Sequence, residues 1–265
     1  MASINDLAAA AIATSAVQRS SGGRGALIVL EGLDRSGKTT QVKLLEQRFV
    51  ELGRKVKVMR FPDRSTPVGQ MIDEYLKSAI EMDDHAIHLL FSANRWEAAK
   101  SINTLLSDGT TVICDRYYYS GVVYSAAKQN PTLSLHWARA PEVGLPRPDM
   151  VLFLDLEEAK ARERGGWGGE VYEKSEMQKR VRDLFWGLSM GTIGTPEGPG
   201  GTPQERSAAT NTTETRVFRQ EEEDLVLVDA SPSVEEVAEE IWKKVLPRVE
   251  AVDRGEVGRV VRTVA

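Results

Sequence analysis

The sequence predicts an α/β protein of three layers, in which helices cover both faces of a five-stranded parallel sheet. Two observations support this fold class. Five short apolar runs alternate with longer segments whose apolar residues recur at helical spacing, which is typical of parallel strands joined by crossover helices. The chain also has 265 residues, 41% of them hydrophobic, which is enough for one large domain with a sizeable core or for two small domains.

Strands and helices follow one another in a regular order from Gly25 onwards. The run DMVLFLDL is almost continuously apolar, as expected of a parallel strand that is buried on both faces. The segment SVEEVAEEIWKKVL is amphipathic, and Ser233 is its expected N-cap. The predicted strands lie at residues 26–31, 55–61, 110–114, 149–156 and 224–230. The predicted helices lie at residues 39–53, 67–79, 84–107, within 118–139 and at 233–246.

Three segments are expected to lie outside this order, which leaves residues 25–248 as one domain. Residues 1–24 are rich in alanine and serine and predict a disordered extension. A mitochondrial transit peptide is the alternative, although the segment has few arginines for that class. Residues 191–215 are dense in Gly, Pro, Thr and Ser and predict a mobile surface insertion. Residues 249–265 lack a clear period and are expected to form a loose tail.

Charge and cysteine content exclude several classes of function. The chain has 34 basic and 39 acidic residues and a net charge of −5, so no general basic field attracts it to nucleic acid or to an anionic membrane. No apolar run approaches the roughly 18 residues of a membrane-spanning helix. Cys114 is the only cysteine, which excludes an intrachain disulfide and suits a reducing compartment. We therefore expect a cytoplasmic protein, with a nuclear or mitochondrial pool as the alternative.

The segment GLDRSGKTT, residues 32–40, matches the pattern of a phosphate-binding loop and lies between a predicted strand and a predicted helix. Its glycines let backbone N–H groups converge on a phosphate at the helix N-terminus, where the helix dipole also favours negative charge. Lys38 would then reach the β- and γ-phosphates of a nucleotide, and the Thr39 hydroxyl would contact Mg²⁺. The motif therefore predicts a P-loop NTPase fold.

The rest of the chain selects among the families with such a loop. The Asn-Lys-x-Asp signature of a GTPase does not occur in the sequence. Guanidinium groups bind phosphate oxygens through two parallel hydrogen bonds, and a kinase that moves a phosphoryl group between two nucleotides needs several of them. Five arginines beside predicted loops are candidates for this role: Arg35, Arg64, Arg95, Arg116 and Arg164.

Longer motifs resemble the thymidylate kinase family, in particular its eukaryotic form. In order, they are RGALIVLEGLDRSGKTTQ, RFPDRSTPVG, DDHAIHLLFSANRWE, DRYYYSGVVYSAAK, VGLPRPDMVLFLDL and RGGWGGEVYE. The resemblance covers about residues 24–189 and resumes with VDAS at 228–231. It implies transfer of the γ-phosphoryl group of ATP to dTMP, giving ADP and dTDP, with Mg²⁺ as the cofactor.

The resemblance also implies a site for the acceptor nucleotide. Phe91 would stack on the thymine ring, and Arg95, one helical turn further on the same face, would hydrogen-bond its O4. Arg64 and Arg116 would grip the monophosphate. Tyr124 would lie near C2′ of the sugar. The complete implied dTMP site is Asp34, Phe61, Pro62, Arg64, Phe91, Arg95, Arg116, Ser120, Gly121, Tyr124, Glu170 and Tyr172.

Donor and catalytic roles follow from the same resemblance. Asp34 is expected to contact the 3′-hydroxyl of the acceptor, and Arg35 to supply charge in the transition state. Thr39 and Asp115 are the expected Mg²⁺ contacts, Asp115 directly or through water; an acid that only orients Arg116 is the alternative. Catalytic roles are implied for Asp34, Arg35, Lys38 and Arg116. ATP binding is implied for Gly32, Ser36, Gly37, Lys38, Thr39, Thr40 and Arg164.

Residues 164–173 resemble the short lid that closes over the donor phosphates. Glycines suit a hinge, and closure would exclude water that could otherwise accept the phosphoryl group. Bacterial members carry a catalytic arginine inside the lid, whereas residues 165–169 contain none. Arg164 precedes this stretch and is expected near the adenine. Arg35 is therefore expected to supply the charge that the lid lacks.

Two alternatives to a dTMP kinase stay open. One is a kinase for another pyrimidine nucleotide or nucleoside, such as dUMP, UMP or CMP. Of these, dUMP differs from dTMP by one methyl group, which in an apolar pocket contributes only about 1–3 kcal/mol of discrimination. The other is a non-catalytic nucleotide-binding protein. Members of the resembled family are usually homodimers formed through helices that include the one carrying HLLFSANRW. A homodimer is therefore expected, with ATP and dTMP as ligands and with no nucleic-acid or membrane partner.

Overall fold

The computed structural model describes residues 23–163, 170–191 and 225–265. Within these ranges, five parallel strands form one sheet in the order β2-β3-β1-β4-β5. The strands are β1 Leu27–Gly32, β2 Val56–Arg60, β3 Thr111–Asp115, β4 Met150–Asp155 and β5 Leu225–Asp229. Because all five run in the same direction, their carboxyl ends meet at one edge of the sheet, where ligands of such folds bind.

Strand β1 lies at the centre of the sheet and is buried along its whole length. Its side chains alternate between the two faces: Leu27 and Val29 belong to one apolar cluster, and Ile28 and Leu30 to the other. Burial on both faces explains why this run is continuously apolar until Glu31, which precedes the phosphate loop.

Helices cover both faces of the sheet, which confirms the predicted three layers. On one face, α1 and α8 pack through side chains such as Phe49 and Ile241. On the other, α3, α4 and α7 contribute Ile102, Val122 and Phe185. The helices are α1 Lys38–Glu51, α2 Pro67–Leu76, α3 Asp84–Ser107, α4 Tyr118–Ala127, α5 Leu135–Arg139, α6 Glu158–Glu163, α7 Ser175–Ser189 and α8 Val234–Asp253, with a 3-10 turn at Ala140–Glu142.

Four helices of the described part begin at a side-chain cap, including α5 at Ser134. Thr66 caps α2 and Asp83 caps α3, each by accepting hydrogen bonds from backbone N–H groups of the first turn. Ser233 and Glu236 form a reciprocal capping box at the start of α8, which confirms the predicted N-cap. The predicted helical stretch 118–139 is divided into α4 and α5.

The expectation of a loose tail over residues 249–265 is wrong. Helix α8 continues through Pro247 to Asp253, and Val249 and Val252 are fully buried in the apolar cluster beneath it. The free energy gained by burying these two valines outweighs the loss of the backbone hydrogen bond that a proline removes from a helix interior. Beyond α8, Val264 is also buried.

Arg24, expected in the disordered extension, belongs to the folded domain. Its guanidinium donates to both carboxylate oxygens of Asp149, at 2.6 and 2.7 Å, and both side chains are buried. The same carboxylate accepts the backbone N–H of Leu27 at 2.9 Å. The ion pair therefore joins the start of β1 to the residue that precedes β4.

Some predictions fall outside the described residues. These are the extension up to residue 22, Arg164 with the glycine stretch 165–169, and the insertion beyond Gly191. Among the residues that the structure does describe, no helix is both long enough and apolar enough to cross a bilayer.

Candidate active site

The loop between β1 and α1 has the backbone shape that a phosphate-binding loop requires. Gly37, the N-cap of α1, has a φ of 90°, and Arg35 has a φ of 67°. A β-carbon at Gly32 would lie 2.6 Å from Ser36 Oγ and 2.8 Å from the carbonyl oxygen of Leu154. Only glycine fits at the first position of this loop, because β4 passes directly beside it.

Lys38 and Thr39 begin α1, and their side chains point to different partners. The Lys38 ammonium donates to the carbonyl of Leu33 at 2.5 Å. Burial, followed by the positive charge of Arg116, lowers the pKa of Lys38 to about 7. Thr39 Oγ1 donates to Asp115 Oδ2 at 2.7 Å. The hydroxyl and the carboxylate are oxygen donors of the kind that Mg²⁺ prefers, so their pairing fits the expected metal site.

Arg116 is the centre of the polar contacts between the phosphate loop and α4. Its backbone has a φ of 68°. One terminal nitrogen donates to the carbonyl of Gly32 at 3.0 Å and to Ser120 Oγ at 3.1 Å, and the other donates to Asp34 Oδ1. The guanidinium also lies 5.4 Å from the ring centre of Tyr124. The structure thus brings five residues predicted for the site into direct contact.

The pKa values of two carboxyl groups near Arg116 shift in opposite directions. Burial acts to raise the pKa of Asp34, but the charges of Arg116 and Lys38 outweigh it and hold the pKa below its usual value. Burial raises the pKa of Glu31, against the opposing charge of Arg116 and several hydrogen bonds. Glu31 accepts from two backbone N–H groups at the start of α4 and from Ser120 Oγ at 2.5 Å. It therefore fixes the end of α4 that carries Ser120.

Gln178, in the first turn of α7, connects the phosphate loop to the end of the lid segment. Its Oε1 accepts the backbone N–H of Asp34 at 3.2 Å, and its Nε2 donates to Asp34 Oδ2 at 3.0 Å. The same amide nitrogen donates to the carbonyl of Tyr172 at 2.8 Å. The side chain is almost completely buried, so one glutamine positions residues of both segments.

Arg95, the expected base contact, is buried on α3 and paired with Glu142. Its Nε donates to Glu142 Oε2 at 2.8 Å, and Nη2 donates to Oε1. A β-carbon at Gly121 would lie 2.6 Å from Arg95 Nη2. Two predicted acceptor residues on different helices therefore meet here, and the absence of a side chain at residue 121 leaves room for the guanidinium.

An aromatic group lies between α2, α4 and the end of the lid segment. Phe91 and Tyr172 pack against the apolar cluster formed by Ile72, Tyr75, Leu76 and Ile87. The ring of Tyr172 lies 5.3 Å from that of Tyr124 and 6.1 Å from that of Tyr75. This grouping provides apolar surface on which a flat base could pack.

Arg64 is held between carboxylates from two segments. One terminal nitrogen lies 2.6 Å from Asp73 Oδ1 on α2, and the other lies 2.7 Å from Glu170 Oε1 at the end of the lid segment. Arg64 follows Phe61 and Pro62, which are joined by a cis peptide bond. The ion pairs link α2 to the lid segment, and an acceptor phosphate at Arg64 would have to compete with them.

Two cavities of the described part open beside these residues. A cavity of about 570 Å³ is lined by residues 34–41 of the loop and α1, by Asp115 and Arg116, and by the β5–α8 connection. Another of about 690 Å³ is lined by residues 57–64 and by part of α3, and includes Glu170. Arg60 lines both, is 67% exposed, and has its Nε 3.9 Å from Asp115 Oδ2.

Sequence analysis does not identify four of these residues: Glu31, Arg60, Glu142 and Gln178. A charge that ends an otherwise apolar strand is a signal that could have found Glu31. Gln178 and Glu142 give no local signal, because the partner of Gln178 lies 144 residues away and that of Glu142 lies 47 residues away. Contacts at such separations become visible only once the fold has formed.

Comparison with known proteins shows which family this chain resembles. Residues 30–189 match the family model described as thymidylate kinase. The chain is 55% identical to a thymidylate kinase of Arabidopsis thaliana over 162 residues, which are 61% of this chain and 60% of that relative. It is 47% identical to the human thymidylate kinase, over 64% of this chain and 79% of the relative. With the Schizosaccharomyces pombe thymidylate kinase it shares 41% identity over 82% and 90% of the two chains.

A solved structure gives the same result. The thymidylate kinase of Candida albicans superposes with a TM-score of 0.65 and 32% identity, over 92% of this chain and all of that one. An identity of 32% indicates a shared family as well as a shared fold, so the sequence and the structure agree on the family.

Proposed function

This chain belongs to the thymidylate kinase family, and we infer that it transfers the γ-phosphoryl group of ATP to dTMP, giving ADP and dTDP. The observation that carries this inference is the contact of Arg116 with both Gly32 of the phosphate loop and Ser120 of α4. It joins residues expected at the donor to residues expected at the acceptor. The reaction needs the two substrates to meet at such a junction.

The donor is expected in the cavity beside the phosphate loop. The backbone of Gly32, Ser36 and Gly37, together with Thr40 at the start of α1, would surround the phosphates at the positive end of the helix dipole. Lys38 would exchange its contact with Leu33 for phosphate oxygens. Mg²⁺ bound to Thr39 and Asp115 would neutralise charge on the donor phosphates. Arg164 is the residue proposed to lie near the adenine.

The acceptor is expected between α3, α4 and the lid end. Arg95 would present its guanidinium to O4 of thymine while Glu142 fixes the orientation of that guanidinium, and Phe91 would stack on the base. Asp34, held ionised by its neighbours, would accept a hydrogen bond from the 3′-hydroxyl. The remaining expected contacts are Phe61, Pro62, Arg64, Arg116, Ser120, Gly121, Tyr124, Glu170 and Tyr172.

Transfer itself requires alignment and charge more than covalent participation by the protein. The acceptor oxygen already belongs to an anionic phosphate, so no strong general base is required. Arg35, Lys38 and Arg116 would neutralise the charge that spreads over the moving phosphoryl group. Arg35 Nη2 lies 3.7 Å from Glu173 Oε1, a contact that supports a link between this arginine and the lid end.

A substrate panel tests the proposal. Release of ADP by the full chain, measured with dTMP, dUMP, UMP and thymidine as acceptors, should require both ATP and an acceptor and should be fastest with dTMP. A preference for UMP or thymidine would favour another pyrimidine kinase. Absence of acceptor-dependent ADP release would favour a non-catalytic nucleotide-binding protein.

A homodimer through α3 is also proposed. Leu89 and Trp96 lie two turns apart on α3 and are exposed, as is the neighbouring Val143; solvent-exposed apolar groups of this kind favour an interface. Static light scattering would give the mass of one chain if this proposal is wrong.

The buried thiol of Cys114, the only cysteine, supports a cytoplasmic location, which imaging of the tagged full chain would test.

A further inference from the structure

We propose that residues 258–264, here called the strap, position Glu142 and through it Arg95, so that the strap supports recognition of the acceptor base. The inference rests on the proposed function, because it takes Arg95 as the residue that reads the base. It concerns a segment that no residue pattern suggested and that lines neither of the two cavities of the described part.

The strap pairs with the loop that follows Glu142. The N–H of Gly144 donates to the carbonyl of Val264 at 2.8 Å, and the N–H of Val264 donates to the carbonyl of Leu145 at 2.9 Å. The N–H of Arg147 donates to the carbonyl of Arg262 at 2.7 Å. Three backbone hydrogen bonds therefore fix the loop against the strap.

Side chains hold the strap in place at both ends. Val264 is 2% exposed and belongs to the same apolar cluster as Leu145. At the other end, Arg24 Nε donates to the carbonyl of Gly258 at 3.2 Å while its terminal nitrogens bind Asp149. The buried ion pair that joins β1 to β4 thus also anchors the start of the strap.

The 3-10 turn that contains Glu142 and the loop that follows it both contact α3. The carbonyl of Pro141 accepts Ser92 Oγ at 3.1 Å and Trp96 Nε1 at 2.7 Å. A β-carbon at Gly144 would lie 3.1 Å from the Trp96 ring. Glu142 lies between these contacts and binds Arg95. The loop is therefore clamped between the strap and the helix that carries the expected base contact.

Release of the strap should loosen this loop from one side only. Glu142 would then no longer hold the guanidinium of Arg95 in a single orientation, and the hydrogen bond to O4 of the base would weaken. Arg95 can only donate hydrogen bonds, so its correct placement favours a base with a carbonyl at position 4 over one with an amino group. The cavity beside the phosphate loop is lined by none of these residues, so ATP binding should not change.

Two valines of the full chain provide a matched test. Val264→Asp places a charge at a buried position and should release the strap, whereas Val260→Asp places the same charge on a strap residue that is 81% exposed. We expect Val264→Asp to raise the KM for dTMP about tenfold, within the usual range of coupling between sites, with the KM for ATP unchanged. The preference for dTMP over dCMP should fall by a similar factor, and Val260→Asp should behave as the unaltered chain.

The milder Val264→Ala serves if Val264→Asp does not fold, and should shift the KM for dTMP in the same direction by a smaller factor. The role of the strap alone would be overturned by the following result: the unaltered chain phosphorylates dTMP, but a folded Val264 variant keeps both the KM for dTMP and the preference over dCMP. An unaltered chain without dTMP-dependent turnover would overturn the proposed function and the strap with it.

Discussion

Gln178 holds Asp34 by two hydrogen bonds, one from the backbone N–H of Asp34 and one to its carboxylate. A hydrogen bond to a buried charged group contributes about 1.5–3 kcal/mol. Gln178→Ala should therefore raise the KM for dTMP by roughly tenfold or more, while the KM for ATP changes little. Initial-rate kinetics with each substrate varied in turn measures both. Gln47→Ala, at an exposed position of α1, is the control, and equal kinetics in the two variants would contradict the role of Gln178.

Arg35 can be removed without backbone strain. Its φ of 67° is a conformation that glycine adopts readily, so Arg35→Gly should fold normally. If Arg35 supplies the transition-state charge, kcat should fall about 10³-fold, as when an arginine finger is lost, with little change in the KM for ATP. Single-turnover rates at saturating ATP and dTMP are the measurement. A variant with normal turnover would show that the charge comes from another residue.

Glu142 should matter for stability as well as for the acceptor. Glu142→Gln keeps the shape of the side chain but leaves the buried Arg95 without a counter-charge. Breaking a buried pair in this way costs about 3–5 kcal/mol, which denaturant titration would detect as a lower free energy of unfolding. Glu256→Gln, at an exposed ion pair with Arg254, should lie within about 0.5 kcal/mol of the unaltered chain. A similar small effect at Glu142 would mean that Arg95 finds another partner.

Lys38 should make the nucleotide-free protein less stable at neutral than at alkaline pH. Its pKa is about 7 in the folded chain, against an ordinary value of 10.5 for a lysine side chain. Between these values the unfolded state binds more protons, so the free energy of unfolding rises with pH over this window. Lys38→Met should remove that part of the rise and should stabilise the protein more at pH 7 than at pH 9. Thermal melts at both values are the test, with Lys43→Met on the exposed face of α1 as the control. Equal effects at the two pH values would show that the pKa of Lys38 is not depressed.

Arg60 borders both cavities, and its exposed guanidinium lies close to Asp115. We expect Arg60→Met to lower kcat/KM for the complete reaction, because a positive charge beside the cavity of the phosphate loop is lost. Lys55→Met removes an exposed positive charge just before the same strand, at a residue that lines neither cavity, and should have no effect. Comparable losses in both variants would indicate a general effect of surface charge.

Much of the fold follows from local patterns in the sequence. The strands that end at Gly32 and Asp115 are apolar runs with a clear polar end, and Ser233 begins α8 with a capping signal that acts within four residues. Such features depend on neighbours in the chain, which sequence analysis can read. The phosphate loop belongs to the same class, because its spacing alone specifies its shape.

Features that depend on distant partners could not be predicted. The predicted helix 233–246 stops just before Pro247, but the burial of Val249 and Val252 against the sheet keeps α8 intact through Asp253. Glu142 is an ordinary acidic residue in the sequence and becomes part of the site only because the fold brings it to Arg95. In both cases, tertiary packing overrides or adds to the local signal.

If Arg95 reads the acceptor base as proposed, the close approach of Gly121 to Arg95 restricts how the base preference could be redesigned. A side chain at residue 121 and the present guanidinium need the same volume, since a β-carbon there would lie 2.6 Å from Arg95 Nη2. A library that varies either residue alone would therefore contain mainly variants in which the side chains at residues 95 and 121 either leave a void or overlap. Altered acceptors should be sought by changing both positions together, with a shorter side chain on α3 for every larger one on α4.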